Sequence, residues 1–402
     1  MKKILIVGGG VNQMPLVLAS KHEGYYTIVV DYAGKKCPAY TVADRFYNVS
    51  TQDEDAICEI AKIEDIDGII SNSEPSMLIV NSIAEKLGLN GNTVNGVNDL
   101  ISKSRFRDLQ RRAGVYAPNH FETETVEDAL SVSERLCYPI IVKPSESSAS
   151  RGCKVIEEFD REIVTKAFLD CQQLSRDQKV VVEEFVEMPS FRTIEGDVFL
   201  FGDEILWKGL YYTTRPNWAP MIPMTYTGSM LIEDNKLDSI KTAITKVFDE
   251  ANIQFGEFNI EGFFTCTDEF FIIEINTRQG GNFLPAFLQR FTGIDYNRLL
   301  VTTSVNDVSY WKETMSSERK NRNCIMCSAY SQKDGIYKGL AIDPSIRTHV
   351  TKVTELLSAG DEVKKCVDGT SIVASILLEF DSMEELYEYS PKIIDSIHVE
   401  LS

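Results

Sequence analysis

Phe270-Phe271-Ile272-Ile273-Glu274-Ile275-Asn276-Thr277-Arg278 is an apolar run that ends with polar side chains at every second position. Successive side chains of a β-strand point to opposite faces, so Glu274, Asn276 and Arg278 are expected to share one face and Ile275 and Thr277 the other. A Glu carboxylate and an Asn carbonyl are hard oxygen ligands suited to Mg²⁺, and Arg suits a carboxylate or phosphate that the metal would also touch. This is the chemistry that nucleotide phosphates require.

A second acid lies upstream in Phe258-Asn259-Ile260-Glu261-Gly262-Phe263-Phe264, and the polar turn Thr265-Cys266-Thr267-Asp268-Glu269 leads back into the Glu274 strand. The pair reads as a β-hairpin in which Glu261 and Glu274 face each other, a repulsive arrangement unless a cation lies between them. A solvated sheet face is the alternative. The flanking residues are nearly all apolar, and carboxylates entering a buried sheet need partners, so the site reading is preferred.

With 402 residues, 43% hydrophobic and 25% charged, the chain is long enough for two to four domains or lobes around a large core. A formal net charge of −19 argues against a nucleic-acid or anionic-membrane surface, because those partners need clustered Lys and Arg. No apolar run approaches bilayer length, and Met1-Lys2-Lys3 leads into a strand-like segment rather than a signal peptide. A cytoplasmic protein is expected. Nine scattered cysteines fit reduced thiols, and the lone Cys324-Ile325-Met326-Cys327 reads as core strand rather than a zinc or redox motif.

The N-terminal segment alternates strand and helix: Lys3 to Val7, a Gly8-Gly9-Gly10 turn, a helix from Pro15 to Glu23, a strand from Tyr26 to Asp31, then Ala56 to Ala61, Gly68 to Ile70 and Ser76 to Leu87. That alternation implies a parallel sheet flanked by helices. The glycine turn with Asp31 beyond it suggests dinucleotide binding through Gly8, Gly10 and Asp31. However, Gln13 occupies the third glycine position of the GxGxxG pattern and Pro15 follows at once.

From Gly96 to Pro118 the pattern is helical and concentrates Lys103, Arg105, Arg107, Arg111 and Arg112. Most of these are expected on a solvated face, with Lys103 set apart as a phosphate ligand. Tyr138-Pro139-Ile140-Ile141-Val142-Lys143-Pro144 then places a lysine in an apolar strand, where it needs an anion. The small residues of Ser145 to Gly152 would let backbone N–H groups approach phosphate oxygens closely. Lys179 to Val186 is a further strand, ending in Glu183-Glu184-Phe185-Val186.

In this order the segments resemble the ATP-grasp superfamily, in its carboxylate–amine ligase branch (biotin-carboxylase-like and L-amino-acid-ligase-like), over essentially the whole chain. The resemblance implies an α/β and α+β architecture: an N-terminal parallel α/β domain (1–95), linker helices and a small lid subdomain (96–186), an antiparallel-sheet catalytic subdomain (187–322) and a C-terminal lobe (323–402). It implies ATP and Mg²⁺ (Mn²⁺ as an alternative) as cofactors. Lys103, Lys143 and the covering loop with Ser145, Ser148 and Ser150 would lie on the phosphates. The Glu183-Glu184-Phe185-Val186 linker would grip adenine, Glu183 through its side chain and Glu184 and Val186 through their backbone. Glu261, Glu274 and Asn276 match the metal ligands, and Arg278 the arginine that steadies the acyl phosphate or tetrahedral species. Arg278 and Lys143 are thus the implied catalytic residues. A homodimer is also compatible with the resemblance. Two departures stand out: serines replace glycines in the covering loop, and Glu187-Met188-Pro189-Ser190-Phe191-Arg192 leaves only Glu187 as a candidate for the ribose.

Substrate residues are sought in the aromatic stretch Trp207 to Pro220, where Arg215 could hold a carboxylate and Trp218 shape a pocket. They are sought also in Gly280 and Gly281, whose lack of side chains permits close approach. The resulting expectation is an ADP-forming ligase joining a small carboxylate to an amine. An amino-acid substrate is favoured; purine-pathway and carbamoyl-type substrates stay open. A non-catalytic ATP-binding module and a nicotinamide-dependent oxidoreductase are the alternatives.

Overall fold

The computed structural model describes residues 1–146, 151–190, 192–228, 232–281, 283–318 and 320–402, and four sheets organise these described residues. The first sheet is parallel, in the order Arg45–Tyr47, Tyr26–Val30, Lys3–Val7, Gly68–Ile70. Its strands are almost wholly apolar because helices cover both faces, as parallel sheets require. Helix Met14–His22 packs on one side and helices Glu54–Glu64 and Met77–Leu87 on the other. Asp53 caps the second of these by accepting from the Ala56 N–H, and Asp65 ends it with a left-handed φ of 53°.

The glycine turn after Lys3–Val7 is closed by its own chain. The Gly9 N–H donates to Asp31 Oδ2 at 2.9 Å and the Ala33 N–H to Asp31 Oδ1 at 2.8 Å, so the Asp31 carboxylate serves the loop backbone. A side chain at Gly9 would meet Cys37 Sγ, Ala39 Cβ and Val29 Cγ1 within 2.9 Å. Glycine stands here because the loop folds tightly onto the next segment.

A four-stranded antiparallel sheet follows, ordered His120–Thr123, Val180–Glu184, Ile140–Pro144, Lys154–Ile156 and backed by helices Val126–Ser133 and Arg161–Leu174. The largest sheet is antiparallel and eight-stranded, in the order Phe270–Asn276, Phe255–Phe264, Arg192–Phe201, Glu204–Thr214, Thr225–Thr227, Cys324–Ala329, Ala374–Glu379, Val350–Glu355. The strand carrying Cys324 and Cys327 is buried at every position, as core strand. A three-stranded sheet of Glu362–Val363, Gly335–Ile342 and Ile397–Leu401 completes the C-terminal part.

The first sheet does not stand apart from the large one. Ile4, Ile6, Leu16 and Val29 share a buried cluster with Phe199, Tyr211, Phe287 and Leu299. Burial of each such side chain contributes about 1.5–3 kcal/mol, which holds this face of the first sheet against the large one. No helix among the described residues is long and apolar enough to cross a membrane.

Candidate active site

Three neighbouring strands of the large sheet each place polar side chains at alternate positions, and the register lines them up in rows. Tyr211, Glu195, Glu261 and Glu274 pair in succession across four strands; Asp197, Asn259 and Asn276 form the adjacent row. The hairpin expected from sequence is therefore present, with Glu261 opposite Glu274. The strand ends at Asn276, but the Asn259 N–H still donates to the Arg278 carbonyl at 3.1 Å, so the pairing runs on.

Glu274, Asn276 and Arg278 line one cavity of about 550 Å³ together with Lys103, Arg107, Lys143, Glu183, Glu195 and Glu261. Asn276 Nδ2 donates to Glu274 Oε1 at 2.9 Å, which leaves its carbonyl oxygen for a cation. Burial and then the Glu195 charge push the Glu261 carboxyl up to about 8, with Arg215 opposing; burial likewise raises Glu195. Three carboxyl groups (Glu195, Glu261, Glu274) crowd around one guanidinium, so binding a proton or a cation relieves the face. Among the described residues no three His, Cys, Asp or Glu form a ready metal cage. A Mg²⁺ held by one or two carboxylates and completed by phosphate oxygens is the donor set that fits such a face.

The opposite wall is cationic. Lys143 is buried and ion-paired with Glu183, while Arg107 Nε donates to Glu183 Oε2 at 3.1 Å. Burial pushes the Lys143 ammonium down to about 8 against the attraction of Glu183. For Glu183 burial acts upward, but Arg107 and Lys143 overcome it and hold the carboxyl at about 2. Lys103 opens helix Lys103–Arg112 and reaches the Ser145 carbonyl at 3.4 Å.

Arg107 corrects the expected solvated face. Its side chain is 2% exposed, bonded to Glu183, to Gln110 at 2.8 Å and to the Ile272 and Ile273 carbonyls at 3.2 and 3.0 Å, and it lies over the Phe271 ring. The 3.6-residue period turns it inward with Phe106 and Gln110. Arg215 lines the same cavity, where it is buried and bonded to Thr193, Glu195 and Glu261 on the acidic face. Trp218 lines a separate depression near Tyr330 and His398.

The linker divides. Phe185 and Val186 line the cavity, as does Met188. Glu184 turns away, its carboxylate holding Asn119 Nδ2 at 3.0 Å and the Cys137 N–H at 3.1 Å, and its own N–H donates to the Asn119 carbonyl. Glu187 is exposed and outside the lining. Ser145 is buried, with its hydroxyl 3.4 Å from Glu122; Ser148 and Ser150 lie outside the described residues. Gly281 reaches the cavity, whereas the Gly280 N–H is engaged by Asp197 at 2.9 Å.

Glu195, Asp197 and Glu257 were not singled out in the sequence, although Thr193-Ile194-Glu195-Gly196-Asp197 repeats the alternation that exposed Glu274. Asp197 accepts from Asn259 at 2.6 Å and sits beside Glu257, both fully enclosed. Burial raises both carboxyls, Glu257 well above the usual range, and the neighbouring Asp197 charge adds to the rise at Glu257.

Residues 102–299 match the family model of the carbamoyl-phosphate synthase L chain ATP-binding domain, and residues 4–94 that of the PylC-like N-terminal domain. The chain belongs to the ATP-grasp superfamily. Among solved structures, the L-amino acid ligase of Bacillus licheniformis superposes with a TM-score of 0.79 at 17% identity, covering 100% of this chain and 99% of that one. The biotin carboxylase–βγ-ATP complex of Campylobacter jejuni gives 0.68 at 18%, covering 100% and 92%. The large chain of carbamoyl phosphate synthase from Pseudothermotoga lettingae is 23% identical over 90% of this chain. This ATP-grasp chain spans about a third of the length of that relative, 35%.

Proposed function

We propose that this chain is an ATP-dependent, ADP-forming ligase that activates a small carboxylate as its acyl phosphate and joins it to an amine, with amino-acid substrates favoured. The observation that carries this reading is the single cavity in which a buried lysine wall faces a row of carboxylates ending in Asn276 and Arg278. Lys143 and Lys103 take the phosphate chain, and Phe185, Val186 and Met188 form the apolar slot for the base. Glu183 holds Lys143 and Arg107 in place from behind. Bound Mg²⁺ supplies charge neutralisation and orientation of the transferring phosphoryl group, and Glu261, Glu274 and Asn276 are the residues that would hold it. The substrate carboxylate attacks the γ-phosphorus, ADP departs, and the amine then displaces phosphate from the acyl carbon. Arg278 steadies the oxyanion at that carbon.

The amino-acid preference draws support from Ile222, Pro223, Tyr226, Leu284 and Tyr330, which add apolar and aromatic lining to the same cavity. The test is ADP release with MgATP across the proteinogenic L-amino acids, singly and in pairs, alongside short carboxylic acids and bicarbonate. Release that depends on a carboxylate and an amine together is expected. ATP binding without release under any combination would refute the ligase reading.

A further inference from the structure

Arg278 lies two residues past Asn276, the last residue of its strand, and the backbone pairing that reaches its carbonyl leaves its long side chain to be placed by other contacts. Its guanidinium nevertheless has a defined place. Nη1 donates to the Gln279 carbonyl at 2.8 Å, and Nη2 to Glu74 Oε2 at 3.0 Å. Glu74 comes from the first sheet, in the turn Glu74–Ser76 after the strand Gly68–Ile70, and it lines the same cavity. The pair is sheltered, with side chains 17% and 20% exposed.

The second oxygen of Glu74 has a partner as well. Arg176 Nη2 lies 3.4 Å from Oε1. Arg176 belongs to the segment that anchors the start of the covering loop: its N–H donates to the Glu146 carbonyl at 3.3 Å, and the Glu146 N–H donates to Ser175 Oγ at 3.2 Å. One carboxylate therefore joins three parts of the chain, namely the N-terminal turn, the base of the covering loop and the arginine at the reacting end.

Resting on the ligase reading above, we propose that Glu74 is a positioning residue for Arg278. A long arginine side chain loses rotamer freedom when it is fixed, and a preset guanidinium stabilises a developing oxyanion without reorganising when it forms. Glu74 supplies that presetting and ties it to the loop base through Arg176. The N-terminal sheet thereby enters the chemistry without touching the substrate.

The decisive measurement is a double-mutant cycle on ADP release, using whichever amino-acid or carboxylate probe the wild type turns over. Glu74→Gln is expected to lower kcat about 10-fold or more with KM for MgATP changed less than about 3-fold, and Glu74→Asp to restore part of the loss. In an Arg278→Ala background, Glu74→Gln should cost less than about 2-fold, because its effect passes through Arg278. Glu54→Gln, at an acid paired with Lys86 and Ser82 in the same N-terminal part, is the control expected to leave kcat unchanged. Equal losses in both backgrounds, or a Glu74→Gln enzyme within 2-fold of wild type, would overturn the inference while leaving the ligase reading intact. A wild type silent with every probe would overturn both.

Discussion

Arg107 shows how much of the site rests on single buried charges. It neutralises the buried Glu183, and it satisfies the Ile272 and Ile273 carbonyls of the Glu274 strand. Arg107→Ala would leave Glu183 sharing only Lys143, and breaking a buried pair in this way costs about 3–5 kcal/mol. Urea unfolding is the check, and a loss below about 1 kcal/mol would contradict the account. The Asp197–Glu257 pair makes a different prediction. Its carboxyls titrate above the usual range in the folded protein, so at intermediate pH the folded state holds a proton that the unfolded chain has lost. Stability contributed by this pair is present below the ordinary carboxylate range and falls as pH rises through the raised value. Glu257→Gln mimics the protonated form, so the Tm difference, variant minus wild type, should be larger at pH 8 than at pH 5. A difference that is flat or shrinks with pH would count against a shared proton.

At the scale of elements, the hairpin from Phe255 to Asn276 carries Glu261, Glu274 and Asn276 side by side. Its reading from sequence succeeded because period-two alternation is a local property, visible without knowing any neighbour. The same rule would have found Glu195 and Asp197 on the adjoining strand, where Thr193, Glu195 and Asp197 alternate with Ile194 and Gly196 and only Val198 to Phe201 form an apolar run. Arg107 and Arg215 were not legible in this way. Their partners lie 76 and 165 residues off for Arg107, and 20 and 46 off for Arg215, so only the assembled sheets say which charges are covered. If the hairpin's acidic face serves phosphate chemistry, Arg278→Ala should keep MgATP affinity within about 3-fold while ADP release falls about 10²–10³-fold. Isothermal titration beside a coupled ADP assay separates the two; parallel loss of both would place Arg278 in ATP binding instead.

Across the whole molecule, the alternating α/β start, the lysine strand and the Glu-x-Asn-x-Arg strand made the architecture readable before any coordinates. The packing of the first sheet onto the large one was not readable, since it depends on which apolar faces meet, and the role of Glu74 follows from that packing. The glycine turn, whose Asp31 is engaged by loop amides, predicts that NAD(H) leaves the Tm unchanged. MgATP at 100-fold its Kd should stabilise the protein by about 2.7 kcal/mol. Both follow from thermal unfolding with each ligand. The central claim, that the cavity couples ATP cleavage to joining a carboxylate and an amine, is tested most directly by ADP release with purified full chain, MgATP and paired substrates. The account predicts ADP formation that needs both partners and that falls about 10²–10³-fold in Arg278→Ala; MgATP binding with no ADP above background under any pairing would contradict it.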